Sequence, residues 1–201
     1  MSRPIGTKKD GQIRPLSDEE LKSFLNAAKR NSKRADLQMT LCWYFGLRVG
    51  ELVKVRLDDI TPAHQITIHP LKGGVVRTYD IPERLWRKVV SWLRERNKDA
   101  KVKSNPYLFP HRFFCETEHE GRDGTQKRFR ALCGKANLPA GHSIHDLRHT
   151  RATQMAKDGA SALQISSWLR QRSTSSCESY VSLQNDKVYE AKLAASSSNF
   201  M

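Results

Sequence analysis

The spacing of apolar residues along most of the chain predicts α-helices. A capping box, Ser17 with Glu20 three residues later, places the start of the first helix directly after Ser17. Its apolar residues recur at the intervals of one helical face: Leu21, Phe24, Leu25 and Ala28. The same kind of pattern predicts further helices at residues 35–45, 47–55, 84–96, 125–136, 144–158, 162–169 and 187–195.

One stretch departs from the helical period. In "HQITIHPLKGGVVRTYDIP", two short β-rich runs, 66–69 and 75–81, flank Pro70 and a Gly-Gly pair. This pattern predicts a hairpin or small sheet with Lys72 at its tip. The sequence therefore predicts a mainly α fold with a small antiparallel β-sheet, in the α+β class.

Charge narrows the range of partners. The chain has 201 residues, and 35 Lys and Arg against 21 Asp and Glu leave a net charge of +14. Such an excess favours a polyanionic partner, nucleic acid first, over a merely basic protein. No stretch approaches the roughly 20 apolar residues of a membrane span, and the polar start does not resemble a secretory signal. We therefore expect a cytoplasmic protein without a membrane partner.

The four cysteines also bear on the cellular compartment. They are scattered and form no C-x-x-C pair. This spacing argues against a zinc ribbon and predicts free thiols in a reducing cytoplasm.

The segment "IHDLRHT" holds a first group of candidate site residues. His145, Arg148 and His149 are three and four residues apart, which places them on adjoining parts of one helical face. Three interpretations remain open. The histidines could bind zinc, although the Glu of H-E-x-x-H and a third ligand are missing. The residues could be ordinary surface groups, or they could grip an anion together.

Two further charged residues stand in apolar or turn sequence. Arg48 and Glu51 lie within "FGLRVGELV", where an unpaired charge would be costly to bury. They could form a structural ion pair, or Glu51 could hold the guanidinium rigid so that it meets a phosphate bidentately. Lys72 is a solvated turn residue unless the turn lies over a site, where its ammonium could deliver a proton.

Taken in chain order, these motifs resemble the tyrosine recombinase (lambda-integrase-like, or phage integrase) family. "GLRVGEL" is similar to the family's first arginine box, "LKGG" to its hairpin lysine and "HDLRHTRAT" to its His-x-x-Arg box. Tyr180 follows at the expected separation. The resemblance covers about residues 16–185, which would form a tyrosine recombinase catalytic-domain fold.

The resemblance implies a site-specific recombinase that cleaves and rejoins double-stranded DNA. Arg48 and Arg148 would hold the two non-bridging phosphate oxygens. His145 would hydrogen-bond the phosphate or assist proton removal, with Glu51 and His149 in support. Tyr180 would attack phosphorus to form a 3′-phosphotyrosyl bond, while Lys72 protonates the departing 5′ oxygen. The reaction would need neither ATP nor metal, and no small-molecule substrate or cofactor.

Tyrosine is a weak nucleophile at neutral pH. Its free pKa of about 10 leaves only about one hydroxyl in a thousand ionised at pH 7. We expect the cluster of cations and a base to offset this deficit.

The sequence departs from the family nine residues before the tyrosine. The family has Leu-Gly followed by His or Trp, whereas this chain has Leu169, Arg170 and Gln171. Gln171 could donate its amide hydrogen to the phosphate, or Arg170 or Arg172 could take that place. The third possibility is a weakened enzyme, or a non-catalytic DNA-binding protein on the same scaffold.

Contacts with DNA are also expected outside the catalytic residues. "GTQKRFRALCGKA" places Lys127, Arg128 and Arg130 within one helical turn, either as a solvated face or as groove and backbone contacts. The resemblance implies a helix in the major groove here.

The two ends of the chain are predicted to lie outside the catalytic domain. Residues 1–15 form a basic arm or linker, and the chain leaves no room before Ser17 for the family's N-terminal clamp domain. We therefore expect a catalytic-domain fragment or a minimal recombinase. Residues 186–201 form a C-terminal helix and Ser-rich tail, which packs on its own domain or docks on a neighbouring protomer. The resemblance implies a homo-oligomer, a tetramer on paired DNA sites.

Overall fold

The computed structural model describes residues 14–71, 73–111, 118–182 and 185. Helix α1 (Asp18–Asn31) begins at the predicted capping box, in which Ser17 Oγ accepts the Glu20 N–H and Glu20 Oε2 accepts the Ser17 N–H. Leu21, Phe24 and Ala28 are buried, as the periodicity predicts.

The remaining helices follow the predicted order with small shifts at their ends. They are α2 (Lys33–Tyr44), α3 (Val49–Val53), α4 (Glu83–Arg96), α5 (Arg122–Lys135), α6 (His145–Lys157) and α7 (Ala162–Trp168). A short 3₁₀ turn, Ala100–Val102, follows α4. An eighth helical stretch, α8 (residues 175–182), carries Tyr180 and was not predicted. The predicted helix 187–195 lies outside the described residues.

The β-rich stretch forms a three-stranded antiparallel sheet in the order β1-β2-β3. Its strands are β1 (Ile60–Thr61), β2 (Gln65–Ile68) and β3 (Arg77–Asp80). Ile66 pairs with Tyr79 across β2 and β3, and both side chains face the core. The second β run was predicted too long, because Val75 and Val76 are exposed and unpaired with β2. The fold is thus mainly α with a small antiparallel sheet, as predicted.

The site lies where two clusters of apolar side chains meet. The larger cluster is built by α1 to α6 and the sheet. The smaller one joins α6, α7 and α8 through Ala152, Ile165, Leu169, Cys177 and Tyr180. Trp168 packs against both. Burial of Cys177 and Tyr180 therefore docks the polar helix α8 against the rest of the domain.

Candidate active site

Arg48 is held at the start of α3 by a carboxylate. Its backbone N–H donates to Glu51 Oε2 at 2.9 Å, and its Nη1 donates to Glu51 Oε1 at 3.2 Å. The Glu51 side chain is fully buried, whereas 38% of the Arg48 side chain is exposed. The ion pair anticipated from the sequence is present, and it leaves part of the guanidinium open to an anion.

Arg148 reaches the same region from α6. It is 5% exposed, and it donates to the carbonyl oxygens of Gly46 at 2.6 Å and Leu169 at 2.9 Å. Burial, together with the nearby cations of Arg48 and Arg170, lowers the pKa of Arg148 to about 10. The side chain stays protonated at neutral pH, so this cluster of like charges would be relieved by a bound anion.

The close approach of these segments depends on Gly46. This residue ends α2 with φ +59, a conformation that favours glycine. A Cβ there would also collide with the Leu169 side chain. The absence of a side chain at position 46 therefore leaves room for Leu169, at the end of α7, whose carbonyl oxygen accepts from Arg148.

Tyr180 and His149 meet between α8 and α6. The Tyr180 hydroxyl is in a short hydrogen bond with His149 Nδ1, and the two ring centroids are 6.0 Å apart. Burial raises the pKa of Tyr180 to about 12, with a smaller contribution from Cys177 and a smaller opposing effect from Arg148.

The nearby Arg148 does not by itself bring the pKa of Tyr180 below its ordinary value. With the pKa of Tyr180 near 12, only about one hydroxyl in 10⁵ is ionised at pH 7. Attack by this hydroxyl needs a base that takes its proton as the new bond forms. His149 is in hydrogen-bond contact and can do so.

Arg170 belongs to the interior of the protein rather than to a phosphate site. It has φ +59 at the C-terminal end of α7, where its N–H bonds to Ser167 and that of Gln171 bonds to Ser166. This hydrogen-bond pattern is the Schellman motif, whose left-handed residue is usually glycine. Of the two arginines considered as substitutes for the family's His or Trp, Arg170 is thus already committed elsewhere.

The Arg170 side chain is fully buried and richly hydrogen-bonded. Its Nη2 donates to Glu51 Oε2 at 3.0 Å and to the Gly46 oxygen at 3.2 Å. Its Nη1 reaches the Phe45 oxygen at 3.0 Å and Tyr79 Oη at 2.7 Å. Sequence reasoning missed this role, because an arginine after an apolar helix gives no sign of turning inward.

Gln171 opens onto a cleft of about 230 Å³, which we call the Arg48 cleft. Its lining is polar and cationic, and consists of Arg48, Gly73, Gly74, Arg170, Gln171, Arg172, Ser173 and Ser176. Gln171, the residue that departs from the family's sequence pattern, therefore lines the same cleft as Arg48. Lys72 lies outside the described residues, but the glycines that follow it line the cleft.

His145 is the first residue of α6 and is exposed, one turn before Arg148. Its role at the phosphate stays a prediction. Within the described ranges, no group of three or more His, Cys, Asp and Glu side chains could hold a metal ion. Nor is any helix in that part of the chain long and apolar enough to cross a membrane.

Helix α5 presents its three basic residues differently. Lys127 and Arg130 are exposed. Arg128 turns inward, where Nη1 donates to Gln38 Oε1 at 2.6 Å and to the buried Glu120 at 2.8 Å. Of the three basic residues predicted to contact DNA, Lys127 and Arg130 are therefore the two that are exposed to solvent.

Fold and site together define a mainly helical domain in which Arg148 lies near Arg48 and near a tyrosine that is hydrogen-bonded to a histidine. The chain belongs to the phage integrase family, and the family's sequence model matches residues 14–187.

Known relatives agree with this assignment. The chain is 28% identical over 180 residues to tyrosine recombinase XerA of Pyrococcus furiosus, covering 88% of this chain and 59% of that protein. It is 29% identical over 165 residues to transposase A from transposon Tn554 of Staphylococcus aureus, covering 75% and 43%. The crystal structure of XerA recombinase superposes with a TM-score of 0.76 at 24% identity, covering 93% of this chain and 66% of that one. The chain thus spans about half the length of the curated relatives it matches.

Proposed function

We propose that this domain cleaves and rejoins DNA as a site-specific recombinase, through a 3′-phosphotyrosyl intermediate. The observation that carries the proposal is the hydrogen bond between Tyr180 and His149, one residue along α6 from the buried Arg148. A tyrosine hydroxyl, a histidine ring and a guanidinium thus lie on two packed helices, which is the arrangement that a nucleophile, a base and a cation would require. The family, and relatives named as a tyrosine recombinase and a transposase, support the same chemistry and an origin in a mobile element.

The arginines would stabilise the charge that develops on the phosphate. A phosphodiester is already anionic, and attack on phosphorus adds charge to its non-bridging oxygens. Arg48 would bind one of these oxygens and Arg148 the other, with the first guanidinium oriented by Glu51. His145 would hydrogen-bond the same phosphate from the start of α6.

Protons move at both ends of the reacting bond. Tyr180 Oη bonds to phosphorus while its proton passes to His149. The bond to the 5′ oxygen breaks, and that oxygen takes a proton, from Lys72 in our proposal. A 5′ hydroxyl then attacks the phosphotyrosyl bond and releases Tyr180. The broken phosphodiester is conserved as an ester of similar energy, so strand joining needs no ATP.

A covalent-trapping experiment tests the nucleophile. The substrate is a pool of end-labelled duplexes with a random central segment, each nicked so that the short cleaved fragment diffuses away. Wild-type protein should form an adduct that survives denaturing electrophoresis. Tyr180→Phe should form none, while its affinity for the pool stays within about twofold, because it lacks only the attacking oxygen.

Controls separate chemistry from folding. Ser179→Ala changes an exposed residue next to the nucleophile and should keep the adduct. An adduct that persists in Tyr180→Phe would reject Tyr180 as the nucleophile. Wild-type protein that binds the pool but forms no adduct would indicate a DNA-binding protein without strand-cleaving activity.

We further propose that the domain acts as a homo-oligomer, a tetramer on paired DNA sites. Residues 186–201 of one copy would pack into a groove of about 790 Å³ between α1, α2 and α4 of its neighbour. Leu21, Leu25, Trp43 and Leu85 give this groove an apolar floor. The tail's Val188 and Leu193 are suited to it.

Mass measurement by light scattering, with DNA present, tests this assembly. Truncation after residue 185 and Leu25→Lys should each weaken the tetramer, and the combination should be no worse than either alone. Additive losses would mean that the tail and the groove act separately.

A further inference from the structure

The amide oxygen of Gln171 accepts two hydrogen bonds from residues of α8. Ser176 Oγ donates to Gln171 Oε1 at 3.0 Å, and Cys177 Sγ donates to the same atom at 3.1 Å. The Gln171 backbone is fixed independently, since its N–H bonds to the Ser166 oxygen at 2.9 Å. Both ends of this side chain are therefore anchored.

We infer that Ser176 and Cys177 are positioning residues that orient the Gln171 amide so that Nε2 donates to the scissile phosphate. This inference rests on the proposed function and deepens it. It identifies what replaces the family's His or Trp in this chain, and what makes the replacement workable.

Gln171 needs these hydrogen bonds because its side chain is flexible. A histidine or tryptophan ring is stiff and presents its N–H in a fixed direction, whereas glutamine has three rotatable bonds and two unlike ends. An amide turned by 180° would present its oxygen to an anion and repel it. Two donors on Oε1 allow only the orientation that leaves the NH₂ group outward.

The cysteine is suited to the role of donor. Burial raises the pKa of the Cys177 thiol, so the group keeps its proton at neutral pH and can donate it to the amide oxygen. Cys177 is fully buried, and Ser176 lies on the lining of the Arg48 cleft. Within the described part of the chain, no residue accepts a hydrogen bond from Gln171 Nε2. Because Gln171 lines the same cleft as Arg48, this N–H group is available to an anion that binds there.

The arrangement also couples two functional groups. Cys177 and Tyr180 lie three residues apart on α8, and both pack into the small cluster against α6 and α7. The helix that delivers the nucleophile thus also sets the phosphate donor. Gln171 should be oriented only when α8 is docked.

A double-mutant cycle tests the inference. The rate of adduct formation is measured on the nicked duplex pool, with Ser176→Ala and Cys177→Ala combined in the Gln171 and in the Gln171→His backgrounds. In the Gln171 background, the two alanine substitutions together should slow cleavage about tenfold, because two modest hydrogen bonds are lost. The affinity for DNA should not change. In the Gln171→His background, the same two alanine substitutions should change the rate by less than about twofold, because the stiff histidine ring does not need hydrogen bonds to orient it.

Conservative and matched variants distinguish positioning from packing. Cys177→Ser retains a donor and should restore most of the rate lost in Cys177→Ala. Ser179→Ala, on the same helix, should have no effect. Equal losses in both backgrounds would overturn the inference, because the two residues would then act on the docking of α8 rather than on Gln171.

A measurement without DNA keeps this test separate from the proposed function. The side-chain amide resonances of Gln171 can be assigned by their loss in Gln171→Leu. They should shift in Ser176→Ala and Cys177→Ala, and unchanged resonances would overturn the inference. If the resonances shift in the two variants but the wild-type protein forms no adduct, the hydrogen bonds to Gln171 are supported and the strand-cleaving function is rejected.

Discussion

Arg170 Nη2 donates to Glu51 Oε2 across 3.0 Å, and both side chains are fully withdrawn from solvent. The other oxygen of Glu51 accepts from Arg48. One buried carboxylate therefore links an interior arginine to the arginine that faces the cleft. The orientation of Arg48 therefore depends on a carboxylate that is itself held by a fully buried arginine.

Replacement of Arg170 by glycine should destabilise the domain. Glycine would suit φ +59 better, by roughly 1 kcal/mol. That gain is smaller than the cost of leaving Glu51 short of a buried partner, roughly 3 kcal/mol. We expect a net loss of about 2 kcal/mol in the free energy of unfolding, measured by urea denaturation.

The neighbouring Arg172→Ala serves as the control. Its side chain is exposed, so the free energy of unfolding should change by less than about 0.5 kcal/mol. A stabilised Arg170→Gly protein would show that the ion pair with Glu51 contributes less than the backbone conformation costs.

Removal of His149, the proposed base, should make adduct formation depend on the raised pKa of Tyr180. His149→Phe should slow adduct formation at pH 7 by about 10² to 10⁴-fold. Attack would then require ionised Tyr180, whose pKa is raised to about 12 by burial. Below that value the ionised fraction, and with it the rate, should rise by about tenfold per pH unit.

Single-turnover rates between about pH 7 and 9 measure this dependence. Wild-type protein should show a shallower rise across the same range, because His149 accepts the proton. A flat profile in His149→Phe would mean that another group deprotonates Tyr180.

Substitutions of the basic residues of α5 should have two different effects, one on DNA binding and one on stability. Lys127→Ala and Arg130→Ala should weaken binding to a random duplex, and each should reduce the salt slope by about one. Arg128→Ala should instead lower the free energy of unfolding by about 1–3 kcal/mol, because it removes a partner of the buried Glu120. Fluorescence anisotropy across a salt series and urea denaturation measure the two effects. Equal salt slopes for all variants would contradict a role of α5 in phosphate contact.

The sequence predicts the helices well where one apolar face is packed on the core. Helix α1 is an example, because its cap and its apolar period both point to the same boundaries. Helix α8 escapes prediction, since half of its residues are serine and only a few apolar side chains pack it against the domain. Strand β1 is two residues long and too short to show an alternating pattern.

Some residues of the candidate site could likewise be predicted from the sequence, and others could not. Arg48, Glu51, Arg148, His149 and Tyr180 were proposed from the sequence, and they lie on or directly beside the helices α3, α6 and α8. The fit of Arg170 into the interior could not be predicted, because it depends on carbonyl groups brought together only by the fold. The same holds for the grip of Ser176 and Cys177 on Gln171.

Gly74 should be essential for the placement of the hairpin tip. A Cβ at this position would lie 2.6 Å from the Arg170 carbonyl oxygen, which also accepts the Val75 N–H at 3.4 Å. Gly74→Ala must therefore push the tip away from the end of α7, and with it the segment that carries Lys72. We expect cleavage to fall about tenfold or more, since a displacement of about 1 Å at a catalytic site is costly.

Adduct formation on the nicked pool measures this loss, and DNA affinity should change far less than the rate. Gly73→Ala gives a matched comparison: it meets open space, so it carries only the strain of φ +56. Its effect on cleavage should be smaller than that of Gly74→Ala. If the two variants lose activity equally, backbone strain rather than the contact with Arg170 controls the hairpin.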